Sequence, residues 1–490
     1  MPRNWIETRT TLADLRSTVA MFKKDERGTV TYFAVFMLMM MLIVGGIAVD
    51  LMENEMVRTR VQNTLDRAVL AAADLDQTLE PQAVVQDYFN KSGLSHFNPT
   101  VTVDEGLNFR TVTANAAPGT TRTQYMRLMG VDTLPVNAGG TAEEKVSKVE
   151  ISMVLDISGS MDDKVGKIEN MQDAAEAFVD AVIKPETQDL ISISLVPYTA
   201  QVSAGPDIFT AMNIPRDAGN PGWCVDFENT DFSTTVMRMD GTYEHMQFFD
   251  EGWNRNYSSV PVTNPGCPGR DDGVYVTDPE AEKRAYEQIY PFSQNAGILK
   301  NRVNQFRARA NTSIHIGMKW GVSMLDPSFR PVVQNLSLNN RIDSTFATRP
   351  ADYSDSETLK TIILMTDGVN VNTTRIQPYW YSWQNARIHW SKYPLHWYLN
   401  NYVNSSEWNS WRYTKYTSSQ ADTMLDNICS AAKDKGIVVW TVGFEVTNAS
   451  FEVMQNCASS PSHAFRVEGI DIVEAFEAIA KQINQLRLTQ

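Results

Sequence analysis

Only four cysteines and six histidines occur among 490 residues. No two cysteines stand as C-x-x-C, and no cysteine or histidine has zinc-ligand spacing, which excludes zinc ribbons and fingers. G-x-S-x-G, H-E-x-x-H and G-x-x-x-x-G-K-[ST] are also missing, and no carboxylate pair has an evident base. An enzyme is therefore the weakest reading. Basic residues are outnumbered, 43 Lys and Arg against 58 Asp and Glu, for a net charge of −15. Phosphate neutralisation needs a basic face, so this balance argues against nucleic acid as the partner. Hydrophobic content of 43% and charged content of 21% exclude wholesale disorder.

Charge is absent altogether from Thr29 to Val49, 21 positions in a row. At 1.5 Å per residue such a helix matches the thickness of a bilayer core. Arg3, Arg9, Arg16, Lys23, Lys24 and Arg27 precede the run, and Asp50, Glu53 and Glu55 follow it. That asymmetry places residues 1–28 in the cytoplasm, a single-pass span at 29–49 and everything after Asp50 outside. A buried core helix and a cleaved signal peptide are the alternatives; Gly46-Ile47-Ala48 has small-x-small character, but the apolar run is longer than a signal peptide's.

Beyond the span, Met56, Val57, Val61, Leu65, Ala68, Val69, Ala72 and Leu75 fall mostly at spacings of three and four. This predicts one helix running on to about Asp76, with a stripe that packs on its own chain or on another subunit. Residues 99–103 and 109–114 alternate as half-buried strands do, 123–129 reads as a short helix and 134–138 as a further strand. Residues 50–146 therefore read as a helix with a small α+β spacer, and Gly139 to Glu144 as the linker out of it.

From residue 147 to 490 strands and helices alternate. Leu190 to Pro197 and Gly436 to Gly443 are near-continuous apolar strands. A helix presenting Val165, Ile168, Met171, Ala175, Phe178, Val179 and Val182 follows the first strand, and Val473, Phe476, Ile479, Ile483 and Leu486 mark the last helix. The expected fold class is α/β, a Rossmann-like, mostly parallel sheet with helices on both faces and two long insertions at about 199–298 and 370–417. Ligands on such sheets sit outside the strands' carboxyl ends.

Two acidic loops fall at those ends. Asp156-Ile157-Ser158-Gly159-Ser160-Met161 closes the apolar run that starts at Ile151, and Thr366-Asp367-Gly368 closes another. Between them Asn311-Thr312 opens a helical run. Carboxylates and hydroxyls at alternate positions can wrap a small hard cation, which takes about six oxygens. The pattern resembles the metal-ion-dependent adhesion site (MIDAS) of von Willebrand factor A (vWA) domains: D-x-S-x-S, a Thr, then T-D-G. The resemblance implies one Mg²⁺, or Mn²⁺ or Ca²⁺ in its place. Ser158 and Ser160 are expected to coordinate directly and Thr312 directly or through water, with Ser313 an adjacent alternative. Asp156 and Asp367 supply charge, and a partner's Asp or Glu completes the shell.

The N-terminal stretch carries a second resemblance. Glu26-Arg27-Gly28, the apolar helix, Asp50 and then Arg60 to Ala73 (RVQNTLDRAVLAAA) resemble the N-terminal module of TadG-like proteins of the bacterial Tad (Flp) pilus-assembly systems. Many of these carry a vWA domain after that module. Phe33 stands where prepilin processing would want a Glu, so the resemblance implies assembly machinery rather than a processed pilin. The implied protein is a single-pass component of the bacterial inner membrane, with its bulk in the periplasm and other pilus-assembly or envelope proteins as partners. A membrane-anchored vWA adhesin or receptor without a pilus is the alternative.

The four cysteines lie beyond the span, consistent with an oxidising compartment. Their order pairs Cys224 with Cys267 and Cys429 with Cys457, free buried thiols being the alternative. Trp380, Trp383, Trp390, Trp397, Trp408 and Trp411 crowd the second insertion among seven tyrosines. They form either a recognition surface for protein or glycan or a small aromatic core of the insertion's own. Asp271-Asp272 lies in the first insertion, which holds no recognisable catalytic set.

Overall fold

The uncharged run and the amphipathic run that follows it form one continuous helix, Thr29–Ala73, in the computed structural model of the protein. The structure describes residues 29–74, 77, 79–105, 109–145, 148–253, 265–268, 285–355 and 357–489. The basic leader 1–28, Leu75 and Asp271-Asp272 lie outside the described residues. The chain divides into two compact units, 1–145 and 146–490.

In the first unit the helix is long and apolar enough over its early turns to cross a membrane. Its later turns bury Val61, Leu65, Ala68, Val69 and Ala72 in a core shared with Val84, Val85 and Phe89 of the helix Pro81–Lys91. The amphipathic stripe is thus covered by its own chain, and Met56 is exposed outside it. The rest of that core comes from a meander of β1 (Thr100–Glu105), β2 (Phe109–Arg122) and β3 (Thr133–Lys145), antiparallel in the order β1-β2-β3. Gly139 to Glu144, expected as a linker, lie inside β3 and pair with Arg110 to Asn115. Two adjacent glycines read as a loop signal, yet the ladder hydrogen bonds of a long strand outweigh their entropic cost here.

The second unit is built on six strands in the order β13-β12-β9-β4-β5-β8. These are β4 (Lys148–Asp156), β5 (Ile191–Tyr198), β8 (Tyr290–Ser293), β9 (Thr358–Thr366), β12 (Val438–Phe444) and β13 (Ala464–Val467). Two-stranded hairpins of β6 (Val225–Asp226) with β7 (Glu244–His245), and of β10 (Thr373–Ile376) with β11 (Arg412–Tyr416), lie in the two insertions. All neighbours in the six-stranded sheet are parallel except the β5–β8 edge. The two edge strands are short, four residues each, and neither announces itself as a strand of this sheet in the sequence.

Alternation along the strands sends side chains to both faces, and helices cover both. Val154, Val196, Ile362, Leu364 and Val439 pack with the helices Ile314–Ser323 and Ser418–Asp434. The helices Lys167–Val182 and Asp471–Thr489 pack on each other, with Phe178 and Phe476 edge to face. The first of these begins at Lys167, so Val165 is exposed in the preceding turn rather than part of the apolar stripe.

Cys224 is bonded to Cys267 and Cys429 to Cys457, with Cα–Cα distances of 5.8 and 5.1 Å. The first pair belongs to a core shared by the two insertions: Phe248 and Phe249 of one pack with Tyr381, Trp390, Leu395 and Leu399 of the other. Trp390 is fully buried there, and its indole N–H donates to the Trp380 carbonyl. Trp380, Trp408 and Trp411 pack partly buried around it, while Trp383 keeps an exposed ring. Trp397 stacks on Tyr393.

Candidate metal centre

Pairing of β4 with β9 opposes Leu155 to Met365, so the ends of the two strands arrive side by side. Asp156 and Asp367 are delivered together by that alignment, although they lie far apart in the chain. The loop after Asp156 is tied at both sides: Ile157 N–H donates to the Tyr198 carbonyl, and Gly159 N–H to the Ala310 carbonyl at 3.0 Å. Arg309 N–H returns a bond to the Ile157 carbonyl. A Cβ on Gly159 would stand 3.0 Å from that Ala310 oxygen, so a side chain here would push the two loops apart by a few tenths of an ångström. This pairing brings Thr312 to the site.

The side chains then converge. Asp156 accepts the Ser158 N–H on Oδ1 at 2.8 Å and the Thr366 hydroxyl on Oδ2 at 2.7 Å. The Tyr198 hydroxyl, which donates to the Met365 carbonyl at 3.0 Å, also lies 3.3 Å from Asp156 Oδ2. Ser158 Oγ and Ser160 Oγ are 3.0 Å apart, and Ser160 donates to Asp367 Oδ1 at 2.6 Å. A methyl built on Gly368 would lie 3.6 Å from both Ser160 Oγ and Thr312 Oγ1. Asp156, Ser158, Ser160, Thr312 and Asp367 thus share one small volume. Ser313, by contrast, stands at the N-cap position of the helix Ile314–Ser323 without a capping bond from its side chain, and its N–H donates to the Thr199 carbonyl.

Burial, and after it the negative charge of Asp367, push Asp156 up to about 7; bonds from Ser158 and Thr366 oppose the rise. The pair is short of positive charge, and one cation already answers part of that need. Lys167 Nζ lies 2.5 Å from Asp367 Oδ2 and 3.3 Å from the Ser160 carbonyl. Lys167 went unseen in the sequence reading. The available signal was its spacing: it stands four residues before Met171 and eight before Ala175, a charge on the buried stripe of its helix.

The loop after Asp367 is held from behind. Asn370 Oδ1 accepts the Ile314 N–H at 2.7 Å and faces His315 Nδ1 at 3.1 Å, while its amide donates to Asp422 at 2.9 Å. His315 is buried, and burial pushes it down to about 4. Beside Thr312 opens a cavity of about 260 Å³, lined in part by Ala310, Asn311, Ser313, Val371 and Arg375.

These residues fit a hard divalent cation. Two carboxylates and three hydroxyls converge, an all-oxygen set of the kind such an ion takes, with the Lys167 ammonium offsetting part of the charge. Among the described residues no group of three or more His, Cys, Asp or Glu could hold a metal ion, so hydroxyls have to supply part of any shell here.

Residues 28–75 match the family of putative Flp pilus-assembly TadE/G-like proteins. No curated protein matches the chain. Among solved structures, the chain is similar to the von Willebrand factor domain of the type V pili tip protein Mfa5 from Porphyromonas gingivalis. The two are 12% identical with a TM-score of 0.33, covering 69% of this chain and 96% of that one. The pilus adhesin SpaC from Lactobacillus rhamnosus GG is 14% identical with a TM-score of 0.32, over 80% of this chain and 33% of SpaC. Proximal thread matrix protein 1 from the mussel byssus, with a zinc-occupied MIDAS motif, is 11% identical with a TM-score of 0.28, over 68% and 46%.

Proposed function

We propose that this chain is a membrane-anchored component of pilus assembly or adhesion that binds a carboxylate of a partner protein through a divalent cation. The observation that carries the reading is the 2.6 Å hydrogen bond from Ser160 to Asp367, which joins two loops 207 residues apart into one oxygen-rich centre. The TadE/G-like match over residues 28–75 supports the pilus context and the anchor.

Ser158 and Ser160 would hold the cation through their hydroxyls, Thr312 directly or through water, with Asp156 and Asp367 supplying charge. A bound Mg²⁺, or Mn²⁺ or Ca²⁺, would present an electron-poor coordination position to an incoming Asp or Glu. The protein's own part is to orient the oxygens beforehand. Thr366 and Tyr198 fix the Asp156 carboxylate from below, and Asn370 fixes the loop that carries Asp367. The cavity beside Thr312 gives the partner's side chain room to approach. In this reading residues 1–28 are cytoplasmic, the span lies in the inner membrane and the α/β unit faces the periplasm, where other pilus-assembly or envelope proteins present the acidic ligand.

Calorimetric titration of the full chain in detergent with Mg²⁺ and Mn²⁺ tests the centre, wild type against Asp156→Ala. Saturable binding in the wild type and none in the variant is expected. Equal binding in the two, or none in either, would reduce the centre to a structural turn.

A further inference from the structure

From Val30 to Met56 the long helix is almost wholly exposed, and the exceptions keep a strict spacing: Gly46, Asp50 and Asn54 are buried, with Ile47 half-buried beside them. Residues four apart share one face of a helix. Against that face lies the turn joining β2 to β3. A Cβ on Gly46 would meet the Tyr125 side chain at 2.6 Å, so the ring rests directly on the helix backbone. Asp50 accepts the backbone N–H groups of Gln124, Tyr125 and Met126 at 3.0, 2.9 and 2.6 Å. Asn54 donates to Thr121 Oγ1 at 2.7 Å.

Gly46 belongs to the uncharged run, and at 1.5 Å per residue it lies about 6 Å deeper along the axis than Asp50. The Tyr125 ring, packed on Gly46, therefore stands level with the last helical turn of the span, and the backbone of the turn meets the helix at Asp50, where the span ends. The tip of the turn exposes apolar side chains: Leu128 is 85% and Met129 60% exposed, and Val131 is exposed beside them, with the paired Arg127 and Asp132 exposed on the same turn. The backbone is suited to an environment poor in water. Leu128 N–H donates to Tyr125 O, Gly130 N–H to Arg127 O, Val131 N–H to Met126 O and Thr123 N–H to Asp132 O. The Thr123 hydroxyl closes the turn on the Val131 carbonyl. Asp50, saturated by three N–H donors, exposes little charge at this level. Arg127 has a stem long enough to lift its guanidinium, paired with Asp132, toward water.

We infer that the β2–β3 turn is a second membrane contact, seating Leu128, Met129 and Val131 among the lipid headgroups and upper acyl chains beside the helix. The inference rests on reading residues 29–49 as a membrane span. Two contacts instead of one would fix the tilt and rotation of the helix, and with them the direction in which the first unit leaves the membrane. A single helix lets its cargo swivel; a helix with a docked wedge does not.

Photocrosslinking separates the inference from its premise. Full-length protein carrying Leu128→p-benzoylphenylalanine is reconstituted in vesicles of phosphatidylethanolamine and phosphatidylglycerol, irradiated and analysed for lipid adducts by mass spectrometry. Leu38, inside the span, and Leu79, beyond the far end of the long helix, receive the same substitution in separate variants. Adducts at 38 and 128 with none at 79 are expected. Adducts at 38 without any at 128 would overturn the second contact while leaving the anchor intact. No adduct at 38 would overturn the anchor and the inference with it, and equal labelling at 79 and 128 would show that position 128 makes no particular contact.

Discussion

Lys167 and Asp367, 200 residues apart, form a buried ion pair with Nζ 2.5 Å from Oδ2. The carboxylate so engaged also accepts the Ser160 hydroxyl on its other oxygen. A fixed ammonium therefore occupies one side of the centre where the cation is proposed to bind. It offsets part of the charge that Asp156 and Asp367 place there, and it lowers the attraction a second cation would feel.

Lys167→Met should have two opposed effects. Without divalent ions the variant loses about 3–5 kcal/mol, because a buried carboxylate is left without its partner. With Mg²⁺ present the loss should shrink, since the ion meets a more negative site. Thermal unfolding with EDTA and with excess Mg²⁺ reads both effects, the Mg²⁺-induced rise in Tm being larger in the variant. The same rise in both proteins would mean that ammonium and metal do not share Asp367.

The helix Ile314–Ser323 approaches β4 through its glycines. A Cβ at Gly321 would fall 2.3 Å from Val154 Cγ2, and one at Gly317 would fall 2.7 Å from the Tyr198 ring. Gly321→Ala should cost about 1–3 kcal/mol through overpacking. Gly317→Ala should in addition weaken Mn²⁺ binding, because Tyr198 sits against Asp156. Urea midpoints and calorimetry on the two variants separate the effects; unchanged Mn²⁺ affinity in Gly317→Ala would deny Tyr198 that supporting role.

The bond between Cys429 and Cys457 closes a 28-residue separation and joins the helices Ser418–Asp434 and Asn448–Cys457 beneath β12. Loop-closure entropy alone gives it about 3–4 kcal/mol. The double variant Cys429→Ser, Cys457→Ser should unfold at a lower temperature than the wild type in non-reducing buffer, and a reductant, which opens Cys224–Cys267 in both, should bring the two midpoints together. Recovery of alkylatable thiols at these positions from freshly isolated wild-type protein would contradict the pairing.

His315 makes stability depend on pH. Its pKa of about 4 in the fold lies below the ordinary value of 6.5, first because it is buried, and Nε2 has no partner among the described residues. Between those values the unfolded chain binds a proton that the folded chain refuses. The contribution, about 3 kcal/mol, is complete above pH 6.5 and is lost as pH falls toward 4. Asp156 acts the other way: with its pKa raised from 3.8 to about 7, its contribution is complete below 3.8 and disappears as pH rises through 7. Comparing wild type with His315→Gln isolates the histidine. Urea midpoints between pH 7.5 and 4.5 should fall more steeply for the wild type, and parallel curves would assign the effect elsewhere.

Much of the architecture was legible because it is written in short-range patterns. Apolar strands of eight or nine residues, helical stripes and a 21-residue uncharged run each declare themselves within a few turns of chain. Asp156, Ser158 and Ser160 lie within five residues, so their shared loop needs no tertiary information, and the order of Thr312 and Asp367 after them completed a recognisable pattern. What lay beyond reach was decided by alignment between distant segments. The pairing of Leu155 with Met365 sets Asp367 beside Ser160, and it also draws Lys167 into the centre. A lysine near a helix start reads as a solvated charge until the strand that buries it is in place. Trp390 looked like its neighbours in an aromatic-rich insertion, and only the packing of two insertions on each other put it inside. Asp50 closed an apolar run in the sequence; the turn it binds, more than 70 residues on, is a fact of the fold. Composition and periodicity determine which surfaces must be covered, whereas strand register and helix docking decide what covers them.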